Sequence, residues 1–378
     1  MALPRALCYL NKRCAGKVHG YLDQSIQQQS VVTKAQKKSV VSLLITIAKF
    51  AVSIAILAWL FYTAQKNAEF ENFLQREKQW GWVVAGFAAA LLAHLIGFVR
   101  WRVMVRALGL PFTFFDAIRI GFIGVLFNMI AFGVVGGDTL RAFYVTREVK
   151  DRTPEAISSV VADRIIGLLT MFSIASVMFL VLDLSSVSSG DEKGLATLTL
   201  ICRIVLGCTA LGFAGIATVI CAPWLTRTKW FLSLTKLPKI GGIIEKLADI
   251  AMIYRSRPGA VAFSFFLSVL VNLCFVGSIY SLAVGLTDNH PTLVNHLVIE
   301  PIAMVSNAVP LPAGLGGMEW AMNFLYTSFG STSGVIVAFG YRFALLFVTV
   351  IGAGFWFVNK RNVTDVMDAS KDEPTVDS

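Results

Sequence analysis

Residues 128–141 read NMIAFGVVGGDTLR and residues 307–319 read NAVPLPAGLGGME. Each is an apolar stretch broken in the same way. An asparagine stands eight or nine residues before a Gly-Gly pair, Gly136-Gly137 in one and Gly316-Gly317 in the other, and a carboxylate follows, Asp138 or Glu319. About 25 residues further on, each stretch is followed by an arginine inside an apolar helix, Ala162-Asp163-Arg164 in the first and Gly340-Tyr341-Arg342 in the second.

The surroundings of these stretches set their solvent. Of the 378 residues, 56% are hydrophobic and only 15% charged, too few to cover the surface of a water-soluble domain of this size. Runs such as 165–182, 204–225 and 259–287 carry no charge and reach the ~18–20 residues a helix needs to cross a hydrocarbon core. They must be helical, because only a helix or a closed barrel satisfies every backbone amide there. We read 41–62, 81–99, 165–182, 204–225, 259–287 and 333–358 as six crossings. The broken segments, near 120–147 and 298–329, are expected to be re-entrant hairpins.

Charge supports that division. With both hairpins returning to the side they enter from, one face collects seven basic residues in 1–40, four in 100–119, four in 141–152, seven in 224–258 and three after 358. The opposite face holds Lys66, Arg76, Lys78 and Lys193. By the positive-inside rule the rich face, with both termini, is expected to be cytoplasmic in an inner (plasma) membrane. The net charge of +10 is thus a topological signal, and without an aromatic-interleaved basic groove nucleic acid is not an expected partner.

Three crossings per half is an odd number, so the second half is expected to be inverted relative to the first. The expected fold is all-α, a polytopic transmembrane bundle of two inverted repeats, residues 41–183 and 195–358, each with a re-entrant hairpin. A basic tail, 1–40, precedes them and an acidic tail, 359–378, follows. A basic, amphipathic cytoplasmic segment, 226–258, lies within the second repeat. Polar residues 1–40 lack a signal-peptide pattern, so the first membrane helix is expected to direct insertion. Paired broken helices at matching positions point to a midplane binding site, since unwound backbone at that depth survives only where it is buried or lines a cavity. The alternative is that the glycines merely allow close helix packing.

The candidate binding or translocation residues follow from this. Asn128, Gly136, Gly137, Asp138 and Arg141 belong to the first hairpin, and Asn307, Pro310, Gly316, Gly317 and Glu319 to the second. Asp138 is expected to cap a half-helix whose N-terminal N–H groups suit a phosphate. Asp163, Arg164 and Arg342 are ionisable residues within apolar helices, where each costs ~2.5–3.5 kcal/mol on insertion scales. Their structural alternative is an ion-pair network, such as Asp163 with Arg141 or Glu319 with Arg342. Thr153 and Pro154 look like an N-cap and a first helical residue. His94 reads as a packed polar residue, and Glu300 near the second hairpin stays ambiguous. No nucleotide, nucleophile or metal motif is present, and the six cysteines form no CxxC pair, so no catalytic residue, cofactor or metal is expected.

Together, Arg100-Trp101-Arg102, Asn128 through Gly136-Gly137-Asp138 with Arg141, Ala162-Asp163-Arg164 with Gly167, Asn307 through Gly316-Gly317 with Glu319, and Tyr341-Arg342 resemble the flippase-like transmembrane domain of the lysylphosphatidylglycerol synthase family over roughly 41–358. The resemblance implies movement of a modified phospholipid between leaflets. The chain ends about 20 residues after its last apolar run, so an aminoacyltransferase domain and lysyl transfer are not expected. The partner is then a phospholipid or polyprenyl-linked lipid. Two alternatives stay open: a membrane transferase acting on a polyprenyl-phosphate-linked sugar through Asp138, Asp163 or Glu319, and a small-solute or ion transporter on the same repeats.

Overall fold

The computed structural model describes residues 51, 55–63, 65, 68–130, 135–148, 152–182, 192–221, 249–250, 252–306 and 315–358. The chain divides into two units, Met1–Ile54, of which only Ala51 is described, and Ala55–Ser378, which holds everything that follows. Both tails, most of the amphipathic segment, and Asn307 and Pro310 lie outside the described residues, as does most of the first expected crossing.

Every regular element among the described residues is a helix. After a helical stretch at 55–63 come α1 (Ala68–Gln75), α2 (Trp80–Ala107), α3 (Phe114–Ile130), α4 (Val135–Glu148) and α5 (Thr153–Val181). They are followed by α6 (Glu192–Cys221), α7 (Pro258–Leu286), α8 (Leu293–Val305), α9 (Gly317–Ser328) and α10 (Gly334–Val358). Five of these, α2, α5, α6, α7 and α10, are long and apolar enough to cross a bilayer. Their outward faces carry Leu92, Leu168, Val177, Leu211, Phe213, Phe266, Phe347 and Val350, all exposed. A soluble protein would not present such a continuous apolar surface; these faces meet lipid. This is a multi-pass membrane protein.

The broken segments are two pairs of short helices. At about 1.5 Å per residue, the 17 residues of α3 and 14 of α4 reach ~26 and ~21 Å, and the 13 of α8 and 12 of α9 only ~20 and ~18 Å. None matches the ~30 Å hydrocarbon thickness, whereas the 28 residues of α2 exceed it. Within each pair the two helices pack on each other.

The longest seam joins α2 and α7. They run antiparallel: the Gln79 N–H donates to the Gly285 carbonyl, Ser278 donates to the Gly86 carbonyl, and Arg100 reaches Ser268. Small residues make the approach close, with Ser264, Ser268, Ser278 and Gly285 buried on α7. Two further contacts are reciprocal. The first short helix of the first pair, α3, packs on α10, and the first short helix of the second pair, α8, packs on α5. Each broken pair thus leans on the long helix that follows the other.

Three boundaries differ from expectation. α2 runs past Arg100-Trp101-Arg102 to Ala107, so these residues lie inside the helix rather than at its end. Gly109, at φ 73°, then supplies the left-handed residue that ends it. Thr153 is itself helical, with Arg152 in the cap position and no side-chain cap. Asp138 is likewise inside α4, which starts at Val135, so Gly136-Gly137 form its first turn instead of preceding it.

Gly86→Val is expected to lower the detergent melting temperature, because a Cβ there sits 2.7 Å from Leu282 Cγ and 3.1 Å from the Ser278 carbonyl. The expected cost is about 1–3 kcal/mol. Gly81→Ala, with nothing within 4 Å of its Cβ, is the unaffected control.

Candidate functional site

Asn128, on the last turns of α3, accepts a 2.8 Å hydrogen bond at Oδ1 from the Gly137 N–H. This N–H is one of the four a helix start leaves without an internal partner, so Asn128 caps α4 from across the break. The expected cap, Asp138, is thereby freed for another role. Any side chain at 137 would collide with the Gly124 carbonyl and with Asn128 itself, which explains the glycine.

Asp138 binds Arg164 of α5 through both oxygens, Oδ2 to Nε at 2.6 Å and Oδ1 to Nη2 at 2.5 Å. Arg141, one turn further along α4, lies 3.8 Å from the same carboxylate. A second pair stands beside it. Arg100 Nε and Nη2 hold Asp163 at 2.8 and 3.0 Å, while Nη1 donates to Ser268 at 2.7 Å. Asp163 therefore pairs with Arg100 and not, as one alternative had it, with Arg141. Gly167 makes room for this guanidinium, since a Cβ there would lie 3.0 Å from Arg100 Nη1.

Arg100, one of the four basic residues of 100–119 expected at the cytoplasmic face, is instead buried at 7% exposure. One feature of the sequence marks it: Asp163, well inside an apolar helix, requires a cation, and its neighbour Arg164 is taken by Asp138.

The cluster holds three arginines against two aspartates. Arg141 is the one left over. It is 8% exposed, its guanidinium lies 5.6 and 5.4 Å from the Phe98 and Trp101 rings, and Nη2 makes only a 3.5 Å contact with the Gly121 carbonyl. Its Nε is buried with no hydrogen-bond partner, as are Trp101 Nε1 and Arg102 Nε. All three are N–H donors. Gly124 leaves the space Arg141 occupies, its Cβ position being 2.8 Å from Arg141 Nε.

The second site is built alike. Gly316, at φ 93°, is the turn before α9, and a Cβ there would press on Ile56 at 3.1 Å. Glu319 reaches back to accept the Gly316 N–H at 2.9 Å and is bound by Arg342 of α10 through Nε at 2.5 Å and Nη2 at 3.3 Å. Glu319 is fully buried. In both sites the carboxylate of a broken helix's first turn is held by an arginine of the next long helix. Here Glu319 caps α9 and pairs with Arg342 at once.

The structure thus gathers Asn128, Gly136, Gly137, Asp138, Arg141, Asp163 and Arg164 around the first break, and Gly316, Gly317, Glu319 and Arg342 around the second. The α10 helix bridges them: its Gly352 packs on the Phe122 carbonyl of α3, ten residues or ~15 Å along the axis from Arg342. His94 is packed, with Nδ1 2.8 Å from the Ala90 carbonyl and its ring against Phe275. Beside the second site an apolar cavity of 510 Å³ is lined by Phe61, Phe70, Phe73, Phe87, Phe339 and Phe343, the last two flanking Arg342 on α10.

The fold and the site define a multi-pass helical membrane domain with two broken helix pairs, each carrying a carboxylate–arginine pair at its break. The family model for the lysylphosphatidylglycerol synthase TM region matches residues 46–352, and the chain belongs to that family. No curated protein matches the chain.

Arg100→Leu or Asp163→Leu alone is expected to destabilise by about 3–5 kcal/mol, because each leaves a buried charge without its partner. The double substitution is expected to recover most of that loss, measured by thermal melting in detergent.

Proposed function

We propose that the protein moves a phospholipid or other lipid-linked anion between the leaflets of the cell's inner membrane, as a transporter and not as an enzyme. One observation carries this reading: Arg141, a buried cation in excess of the carboxylates around it, whose Nε has no acceptor. Trp101 Nε1, whose ring lies 5.4 Å from the Arg141 guanidinium, adds to this surplus of donors. A site rich in unused N–H donors and net positive is complementary to phosphate oxygens. The start of α4 contributes its dipole in the same sense.

The phenylalanine-lined cavity beside Arg342 supports the lipid over a free anion. It offers the hydrocarbon contact that an acyl chain needs, at the second site and not at the donor-rich surroundings of Arg141. Membership of the lysylphosphatidylglycerol synthase TM region family agrees with a lipid substrate.

The translocation path follows from reading the halves as inverted repeats. The antiparallel α2 and α7, the exchange of contacts between α3 with α10 and α8 with α5, and the repeated carboxylate–arginine pairs all support that reading. The concentration of basic residues on one face supports cytoplasmic termini. Movement of one repeat against the other would then expose the buried arginines first to one leaflet and then to the other.

Two measurements test this. In liposomes carrying a fluorescent phosphatidylglycerol, the purified protein is expected to make the outer and inner pools exchange. Arg141→Gln is expected to slow that exchange by about 10- to 100-fold, the worth of a charge-assisted hydrogen bond of ~1.5–3 kcal/mol. Arg203→Gln, on the exposed face of α6, should leave it unchanged; a wild-type rate in Arg141→Gln defeats the reading. Separately, single cysteines at Gly133 and Ala313 are expected to react with an impermeant maleimide from opposite sides of the membrane. Labelling from the same side would exclude inverted repeats.

A further inference from the structure

Glu300 lies on α8, four residues after His296 and immediately before Pro301. It is 0% exposed, and neither carboxylate oxygen has a hydrogen-bond partner. Every other buried carboxylate among the described residues is engaged: Asp163 by Arg100 and Glu319 by Arg342.

The charged or titratable groups on the helices packed against α8 are accounted for one by one. On α5, Asp163 and Arg164 are committed to Arg100 and Asp138, and Glu155 near the helix start pairs with Arg152. On α9, Glu319 is held by Arg342 and Tyr326 is bound to His296. The α7 helix offers Cys274 and Tyr280, and on α10 Tyr341 lies within electrostatic reach of Glu300. None of them bonds the Glu300 oxygens. An ionised carboxylate left this way has lost its water and gained nothing; the neutral acid is the form the site accommodates.

A line of titratable and aromatic groups leads from Glu300 toward the loop between α7 and α8. His296 stands one helical turn away on the same face, at about 5–6 Å between Cβ atoms. Its Nδ1 lies 2.8 Å from the Thr292 carbonyl, which can only accept, so the neutral ring carries its hydrogen on Nδ1. Nε2 then accepts from the Tyr326 hydroxyl at 2.7 Å. The His296 ring also packs on Tyr280, and Tyr280 in turn on His290 of the loop. Pro301 removes the N–H that would otherwise bond the Leu297 carbonyl, which loosens α8 at the turn bearing Glu300.

We propose that Glu300 is a proton-binding site, reached from the α7–α8 loop through His296 and Tyr326, and that its protonation is coupled to lipid movement. The site takes up one proton at a carboxylate oxygen and becomes neutral while α8 is packed. It releases that proton when movement of the second helix pair brings water to it. The coupling rests on the lipid-translocation reading; the proton site does not.

The test uses the full chain in liposomes of phosphatidylcholine and phosphatidylglycerol, with Glu300→Gln as the isosteric mimic of the neutral acid. Infrared spectra at neutral pH are expected to show a protonated-carboxyl C=O band in the wild type that Glu300→Gln lacks. If both proteins give the same spectrum, the proton site is overturned. Tyr326→Phe is expected to keep the band and slow its shift on transfer to heavy water; an unchanged exchange rate overturns the path. For coupling, exchange of a short-chain fluorescent phosphatidylglycerol is followed by albumin extraction across a pH series. The wild-type rate is expected to vary with pH and that of Glu300→Gln to lose the dependence. A variant that retains the wild-type pH profile overturns the coupling. A wild type that moves no lipid at any pH overturns the coupling together with the translocation reading, while the infrared result still decides the proton site.

Discussion

Asp138 holds Arg164 with both oxygens and draws in Arg141, and much of the first half of the fold depends on that carboxylate. The pair is only partly buried, yet its two short, charge-assisted contacts tie α4 to α5. The short helix is in turn held to α3 by Asn128 across the break. Together these two contacts fix a pair of helices too short to be anchored by the water at both faces of a bilayer.

The second half solves the same problem with different residues. Glu319 combines the two tasks that Asn128 and Asp138 divide between them, capping α9 through the Gly316 N–H and binding Arg342. The longer side chain makes this possible, since glutamate can reach back to its own helix start while its other oxygen faces the neighbouring helix. The two halves differ in charge balance as well. Around the first break an arginine is in excess, whereas within the second α8 carries a carboxylate with no bonded partner. A surplus arginine in one half and an unbonded acid in the other are two departures from full charge pairing among the described residues, and the two proposals above rest on them.

Much of this was legible beforehand. The broken segments, the glycine pairs and the intramembrane arginines stood out because apolar surroundings make every polar residue conspicuous. The Glu319–Arg342 pair was one of the alternatives considered. Arg141 is the example the sequence offers as a partner for Asp163, and Arg100 escapes notice because it lies at the edge of an apolar run, where a snorkelling interfacial charge and a buried one look the same in sequence. Asp138 was read as a cap because a carboxylate following a Gly-Gly pair usually is one. The helix instead began three residues earlier, once Asn128 had supplied the acceptor from another element.

The amino-acid sequence by itself determined the solvent, the helical class, the family and the two places where the membrane helices break. It could do so because the bilayer imposes lengths and apolarity on each segment separately, residue by residue. Only the tertiary structure decided which arginine meets which carboxylate, that Arg141 is left with an unused donor, and that the Glu300 oxygens have no hydrogen-bond partner. Those are properties of pairs of helices distant in sequence, set by how the antiparallel α2 and α7 align and by which long helix each broken pair leans on. No single segment carries that information.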